Sequence, residues 1–198
     1  MKKKVFGVLL LMETLFLFIS ALIALCYNEG DLLPFVYSAL AAFAVGAALF
    51  FPNRHEKGNL NRKDCYIIIS GVWIVFSIFG MIPLLLYGTV DNLTDAFFES
   101  MSGFTTTGAS VLNNIDEQPH GILFWRSITQ WLGGLGIMLF SIALLPSFNR
   151  NNKQLFSTES MAMSINKLRP KTQETARGIL FTYLGMTLIG APFYWVGP

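Results

Sequence analysis

The chain has few charged residues. Asp, Glu, Lys and Arg make up 13% of its 198 residues, whereas soluble globular domains contain about 25%. Hydrophobic residues account for 53%, Phe alone occurs 18 times, and the mean hydropathy is +0.52. This composition argues against a soluble domain and places the chain among integral membrane proteins built from helices.

The side chains that bind metals and perform catalysis are also scarce. Cys26, Cys65, His55 and His120 are the only cysteines and histidines, and they lack the spacing of metal ligands. No P-loop or Ser/His/Asp set is visible, so we expect neither an enzyme nor a bound cofactor, and we expect no nucleic-acid partner. The topology below puts the two cysteines on opposite sides of the bilayer, which argues against a disulfide.

Five apolar runs approach or reach the length of about 20 residues that crosses a bilayer. They cover residues 5–27, 33–51, 66–87, 122–145 and 178–196. The first run follows three lysines, as in a signal peptide, but it exceeds the roughly 7–15 apolar residues typical of such peptides. We therefore expect it to be retained as a membrane helix.

The basic residues predict the orientation of these helices. Thirteen of the fourteen Lys and Arg residues lie before the first run, between the second and third, or between the fourth and fifth. Because basic residues concentrate in cytoplasmic loops, we expect a multi-pass protein of the cell inner (cytoplasmic) membrane with a cytoplasmic N-terminus. Residues 88–121 then lie on the outer side, and this segment contains acidic residues but no Lys or Arg.

The outer segment contains a short helical pattern at 92–103, about half the length needed to cross a bilayer. The polar sequence GFTTTG follows at 103–108. Non-helical backbone is tolerated at membrane depth only where it is buried in protein or lines an aqueous cavity. A filter for a dehydrated cation uses backbone carbonyls in this way, and Gly108 is the natural residue for a positive φ.

Three interpretations of 92–108 follow from the residues alone. The segment is a re-entrant pore loop, an interfacial turn that returns to the surface, or a broken helix that binds a small solute in a secondary transporter. A membrane assembly protein that conducts nothing is a further alternative for the whole chain.

Longer stretches of the sequence resemble a known family. FFESMSGFTTTGAS and FWRSITQWLGGLGIMLFSIALLP, followed by KLRPKTQETARGILFTY, are similar to the potassium uptake permeases of the Trk/Ktr/HKT superfamily, and within it to the TrkH type. The resemblance implies an all-α integral membrane fold with four helix–pore loop–helix repeats around one pore. Each repeat contributes one filter strand, and two accessory helices precede the first repeat.

The resemblance also implies a domain organisation. The expected segments are two accessory helices (1–51), a cytoplasmic loop (52–65), the first pore repeat (66–146), a cytoplasmic linker (147–177) and the start of a second repeat (178–198). Within the first repeat we expect a helix at 66–87, a pore helix at 92–103, a filter at 104–110 and a second helix at 122–145. Since one filter strand cannot surround an ion, we expect either a fragment of a longer permease, which we favour, or assembly with other copies.

The resemblance assigns candidate site residues for potassium uptake. The filter would comprise Thr105, Thr106, Thr107 and Gly108, with the transported K⁺ held at Thr106 and Thr107. Channel-like and H⁺- or Na⁺-coupled transport both remain open, as does strict K⁺ selectivity.

Four residues outside the filter also have two interpretations each. Arg126 either extends to the membrane interface or forms an ion pair with Glu99 that braces the filter. Gly133, Gly134 and Gly136 serve helix packing, a gate, or both.

Glu13 is an acidic residue about two turns into the first run. It is expected to cap or to pair with the N-terminal lysines rather than to relay protons.

The resemblance also implies partners. These are the lipid bilayer, a second copy of the full-length permease, and a cytosolic nucleotide-binding regulatory subunit of the TrkA or KtrA kind, which segment 147–177 would contact.

Overall fold

The computed structural model describes residues 2–56, 62–149 and 161–196. Within these ranges the chain is helical and contains no strand. The helices are α1 (Lys2–Tyr27), α2 (Leu32–Phe50), α3 (Arg62–Gly80), α4 (Ile82–Tyr87), α5 (Leu93–Phe104), α6 (His120–Asn149) and α7 (Met161–Val196), with one 3₁₀ turn at Ile115–Glu117. The chain divides into two compact units, Met1–Gly134 and Leu135–Pro198, and the structural account below concerns the first.

Among the described residues, three helical segments are long and apolar enough to cross a membrane. They are Lys2–Tyr27, Leu32–Phe50 and Tyr66–Tyr87. The two further predicted spans fall on α6 and α7, many of whose side chains lie outside the described part of the chain, and these spans stay predictions.

Two helix boundaries differ clearly from the expected ones. The expected helix at 66–87 is divided, because α3 ends at Gly80 and α4 begins at Ile82. Pro83 near the start of α4 explains this break, since proline has no N–H to donate and its ring disfavours a continuous helix. Helix α7 begins at Met161, inside the expected linker at 147–177.

The accessory helices α1 and α2 form a closely packed antiparallel pair. Small residues allow the approach: a Cβ on Gly7 would lie 2.7 Å from the backbone N of Phe50, and one on Gly46 would lie 3.2 Å from the Cβ of Leu10. Ala39 and Ala42 on the same face of α2 are fully buried. The small-residue face noted in the sequence is therefore the contact between the two helices.

An aromatic cluster joins this pair to the short helix α5. Phe104, the last residue of α5, lies 5.3 Å from Phe76 of α3 and 6.2 Å from Trp125 of α6, measured between ring centroids. Trp125 also contacts Phe35 of α2, and its indole Nε1 donates a 2.9 Å hydrogen bond to the carbonyl of Gly80, which the break between α3 and α4 leaves available. The cluster holds the C-terminal end of α5 in a buried position.

The expected pairing of Glu13 with the N-terminal lysines is wrong. Lys2 forms a 2.6 Å ion pair with Asp64, and Lys4 donates to the carbonyl of Arg54. Glu13 is 1% exposed within the first unit, and neither carboxylate oxygen has a hydrogen-bond partner.

Candidate functional site

The polar stretch after α5 begins as a helix C-terminal cap. The amide of Thr106 donates to the carbonyl of Gly103 at 2.9 Å, and the amide of Thr107 donates to the carbonyl of Ser102 at 3.0 Å. These two bonds define a Schellman motif, in which the residue at the Thr106 position is left-handed and is usually glycine. Thr106 accordingly has φ +58°.

A threonine in this conformation is unusual, because β-branched residues rarely adopt positive φ. Two residues later Gly108 also has a positive φ, +75°, as the sequence predicted for a filter strand. The two left-handed residues, Thr106 and Gly108, therefore flank Thr107. Strained backbone of this kind tends to occur at functional sites, so the outlier at Thr106 marks this stretch as a candidate site.

The backbone polar groups of this stretch divide into two sets. The amides of Thr106 and Thr107 donate to carbonyls in the last turn of α5, and the amide of Gly108 lies 3.5 Å from the carbonyl of Ser102. Within the described residues, no hydrogen bond ends on the carbonyl oxygens of Thr105 to Gly108. Because Thr106 to Gly108 are exposed in this chain, their carbonyls are available to a ligand.

The threonine hydroxyls reinforce the turn. Thr105 Oγ1 donates to the carbonyl of Met101 at 2.8 Å, and it lies 2.8 Å from Thr107 Oγ1. The hydroxyls of Thr105 and Thr107 therefore contact each other across Thr106.

Ser102 connects α5 to three consecutive residues of the polar stretch, Thr107 to Ala109. Its carbonyl accepts from Thr107 and approaches the amide of Gly108, while its hydroxyl donates to the carbonyl of Ala109 at 2.6 Å. Ser102 is 5% exposed. Sequence reasoning missed this residue, and the only signal was a serine in the last turn of a short helix.

Glu99 and Arg126 do form an ion pair, with Arg126 Nε 2.7 Å from Glu99 Oε1. The Glu99 side chain is 3% exposed and that of Arg126 is 17% exposed. Glu99 also accepts hydrogen bonds from the Ser110 hydroxyl and from the amide of Val111 at 3.0 Å. The carboxylate thus joins α5, the chain that follows Gly108, and α6; Ser110 is a second residue that sequence reasoning missed.

Gly133 lies where α6 passes the end of α5. A Cβ at this position would collide with the carbonyl oxygen of Phe104, the last residue of α5. This contact supports the packing interpretation for Gly133. Gly134 is half-buried in the same unit and Gly136 belongs to the second unit, and the predicted packing or gate role of these two stays a prediction.

A second polar cluster joins the α1–α2 turn to the start of α6. Glu29 accepts from the backbone amide of His120 at 2.6 Å and lies 2.8 Å from His120 Nδ1, and Tyr27 stacks on the imidazole at 3.9 Å. These hydrogen bonds from His120 lower the pKa of Glu29.

Asp31 lies next to this cluster and is fully buried, close to Gly121 of α6. Burial raises the pKa of Asp31, and the nearby charge of Glu29 adds to the rise. The nearby backbone amides of Gly121 and Ile122 lower the pKa of Asp31, although neither carboxylate oxygen makes a hydrogen bond of full geometry.

The fold defines the class of protein: an all-α integral membrane protein, in which the half-length helix α5 is followed by an irregular polar stretch. A family model, "TrkH: Cation transport protein", matches residues 34–197. The chain therefore belongs to the TrkH family, whose members are transport proteins rather than enzymes, as the sequence predicted.

Individual relatives agree with this assignment. The chain is 36% identical over 194 residues to the Trk system potassium uptake protein TrkH of Escherichia coli (strain K12), covering 97% of this chain and 40% of the relative. It is 32% identical over 188 residues to the potassium uptake protein TrkG of the same strain, covering 92% of this chain and 39% of the relative.

A solved structure confirms the fold class. The crystal structure of the potassium transporter TrkH from Vibrio parahaemolyticus superposes with a TM-score of 0.80 at 34% identity, covering 98% of this chain and 39% of that chain. The chain thus spans about two fifths of the length of the relatives that it matches.

Proposed function

We propose that this chain contributes one strand of a potassium selectivity filter, in a pore that takes up K⁺ across the cytoplasmic membrane. The carbonyl oxygens of Thr105, Thr106, Thr107 and Gly108 replace water around the ion, which is held at Thr106 and Thr107. The relatives are named potassium uptake proteins, which supports K⁺ as the transported ion.

The observation that carries this proposal is the alternation of left-handed residues at Thr106 and Gly108, next to four carbonyls that accept no hydrogen bond from any described residue. Alternating backbone conformations turn successive carbonyls toward one side, as a carbonyl filter requires. The C-terminal end of α5 directly precedes the strand and adds partial negative charge, which favours a cation.

Two contacts hold this strand in its irregular conformation. The Ser102 hydroxyl fixes the carbonyl of Ala109, and the Glu99 carboxylate fixes Ser110 and Val111 while it pairs with Arg126. A filter must resist collapse when the ion leaves, so we assign Glu99 and Arg126 the role of a brace behind it.

Further strands are needed to surround an ion, and this chain supplies one. We propose that the chain is part of a longer permease in which other repeats complete the pore, consistent with its coverage of about two fifths of its relatives. The permease would have its N-terminus in the cytoplasm, form a homodimer and bind a cytosolic nucleotide-binding subunit of the TrkA or KtrA kind.

Growth of a potassium-uptake-deficient strain on limiting K⁺ tests the proposal. The full reading frame that contains these residues should restore growth, and Gly108→Asp should abolish the rescue at equal membrane abundance. Gly88→Asp is the matched control, because Gly88 also has a positive φ, +83°, and open space around it. Rescue that survives Gly108→Asp would count decisively against a filter at this position.

A further inference from the structure

We propose that Glu13 is a proton-binding site within the accessory helix pair, and that its carboxyl group keeps the proton throughout the transport cycle. Glu13 lies eleven residues after Lys2 in α1, which places it about 16 Å along the helix and well inside the span. Its side chain is buried by the chain itself, with 1% of the residue exposed.

Among the described residues, no Lys or Arg forms an ion pair or hydrogen bond with Glu13. Helix α2 has no charged residue, and the charged residues of α3 are confined to its first turn. Lys2 and Lys4 are engaged with Asp64 and with the Arg54 carbonyl. An isolated carboxylate in an apolar interior is highly unfavourable, and such a group becomes neutral instead.

The other titratable groups near α1 do not change this conclusion. Tyr37 of α2 and Tyr66 of α3 are 57% and 49% exposed, so they lie on outward faces of their helices. At the outer end, Arg126 pairs with Glu99 and His120 with Glu29.

The hydrogen bonds around Glu13 favour the same protonation state. An ionised carboxylate can only accept hydrogen bonds, but the buried hydroxyls of this helix pair already donate to carbonyls four residues earlier in their own helices. Thr14 donates to Leu10, Ser20 to Phe16 and Ser38 to Pro34. Protonation gives Glu13 an O–H that can donate a hydrogen bond, which the ionised carboxylate cannot do.

Infrared spectroscopy of the full-length protein in lipid vesicles tests the protonation state directly. With glutamate labelled by ¹³C at the carboxyl carbon, the wild type should show the C=O stretch of a protonated carboxylic acid at neutral pH, and Glu13→Gln should lack that band. Glu99→Gln should retain it, because Glu99 forms an ion pair with Arg126. A wild-type spectrum without the band at neutral pH would overturn the proposal, whether or not any variant folds.

Thermal stability and uptake provide the second test. Gln is neutral and nearly isosteric with a protonated Glu, so Glu13→Gln should leave the melting temperature unchanged and keep K⁺ uptake within about twofold of wild type. Glu99→Gln should lower both, since it removes a charge that has a partner. A folded Glu13→Gln that loses as much stability as Glu99→Gln would show that the site needs the negative charge, and a folded but inactive Glu13→Gln would show that the proton moves during transport; either result contradicts the proposal.

Discussion

The hydroxyl of Ser102 donates a 2.6 Å hydrogen bond to the carbonyl of Ala109, across the intervening residues 103–108 that contain the sequence GFTTTG. This bond closes the strand back onto the helix from which it emerges. The end of α5, the Schellman turn and the polar stretch are therefore tied together, and in the part of the chain that the structure describes no hydrogen bond ends on the carbonyls of Thr105 to Gly108.

Replacing Ser102 by Ala should loosen the strand without unfolding the protein. A single hydrogen bond contributes about 0.5–1.5 kcal/mol, so we expect a small loss of stability but a several-fold fall in the preference for K⁺ over Na⁺, measured by ion flux in vesicles. Ser127→Ala is a suitable control, because that hydroxyl is exposed and bonds only to the carbonyl of Leu123 in its own helix. Equal selectivity in Ser102→Ala and wild type would refute a positioning role for Ser102.

Replacing Arg126 by Gln should destabilise the protein and impair uptake. Removal of one partner from a buried ion pair costs about 3–5 kcal/mol, and the other partner here, Glu99, also accepts from Ser110 and Val111. A double-mutant cycle of Arg126→Gln with Glu99→Gln, followed by thermal unfolding, should show strong coupling. Additive effects of the two substitutions would mean that the pair does not act as a brace.

Replacing Gly133 by Ala should displace the end of α5. The new methyl group would collide with the backbone of Phe104, and backbone cannot move aside as a flexible side chain can. Overpacking of this kind costs about 1–3 kcal/mol. Gly178→Ala is the control, since no atom lies within 4 Å of a Cβ there. If the two variants melt at the same temperature and transport equally well, the close contact between α6 and α5 is incorrect.

Asp31 should make the protein less stable as the pH rises. Burial raises its pKa, so the stabilisation that the protonated form contributes is present below the ordinary pKa of about 3.9. It is lost as the pH increases through the raised value. The melting temperature of Asp31→Asn relative to wild type should therefore increase as the pH rises from the ordinary pKa of Asp31 through its raised pKa. A difference in melting temperature that does not vary with pH would show that protonation of Asp31 does not stabilise the fold.

Glu29 should show the opposite pH dependence. The hydrogen bonds from His120 lower its pKa, so its stabilising contribution is present above the ordinary pKa of about 4.3. That contribution is lost as the pH falls through the lowered value. Glu29→Gln should be less stable than wild type at neutral pH, and the difference should shrink in acid. A difference that grows in acid would contradict the observed contacts with His120.

Local patterns in the sequence were sufficient to predict the short helix and the positive φ at Gly108. Apolar spacing marks α5, and glycine is the residue that adopts left-handed backbone without strain. Thr106 was not foreseen, because a β-branched residue normally avoids this conformation. Only the hydrogen bonds at the end of α5 show that Thr106 occupies the position that glycine usually takes in a Schellman motif.

Contacts between distant residues were harder to predict. The Glu99–Arg126 pair could be proposed because both residues are charged and lie near the outer side, whereas Ser102 and Ser110 are common residues whose partners depend on the path of the chain. Proximity along the helix predicts that Glu13 caps or pairs with the N-terminal lysines. The structure brings Asp64 and the Arg54 carbonyl to those lysines instead.

The most direct test of the central claim is the K⁺-over-Na⁺ selectivity of Gly108→Ala, compared with that of Gly88→Ala. Both glycines have a positive φ. A Cβ on Gly88 would have no neighbour within 4 Å, and one on Gly108 would make only an ordinary 3.8 Å contact with Gln130 Nε2, so each substitution introduces similar strain, about 1–2 kcal/mol. The proposed filter predicts that vesicles containing Gly108→Ala lose most of their preference for K⁺, while those containing Gly88→Ala keep it. Unchanged selectivity in Gly108→Ala would contradict the assignment of residues 105–108 as a filter strand.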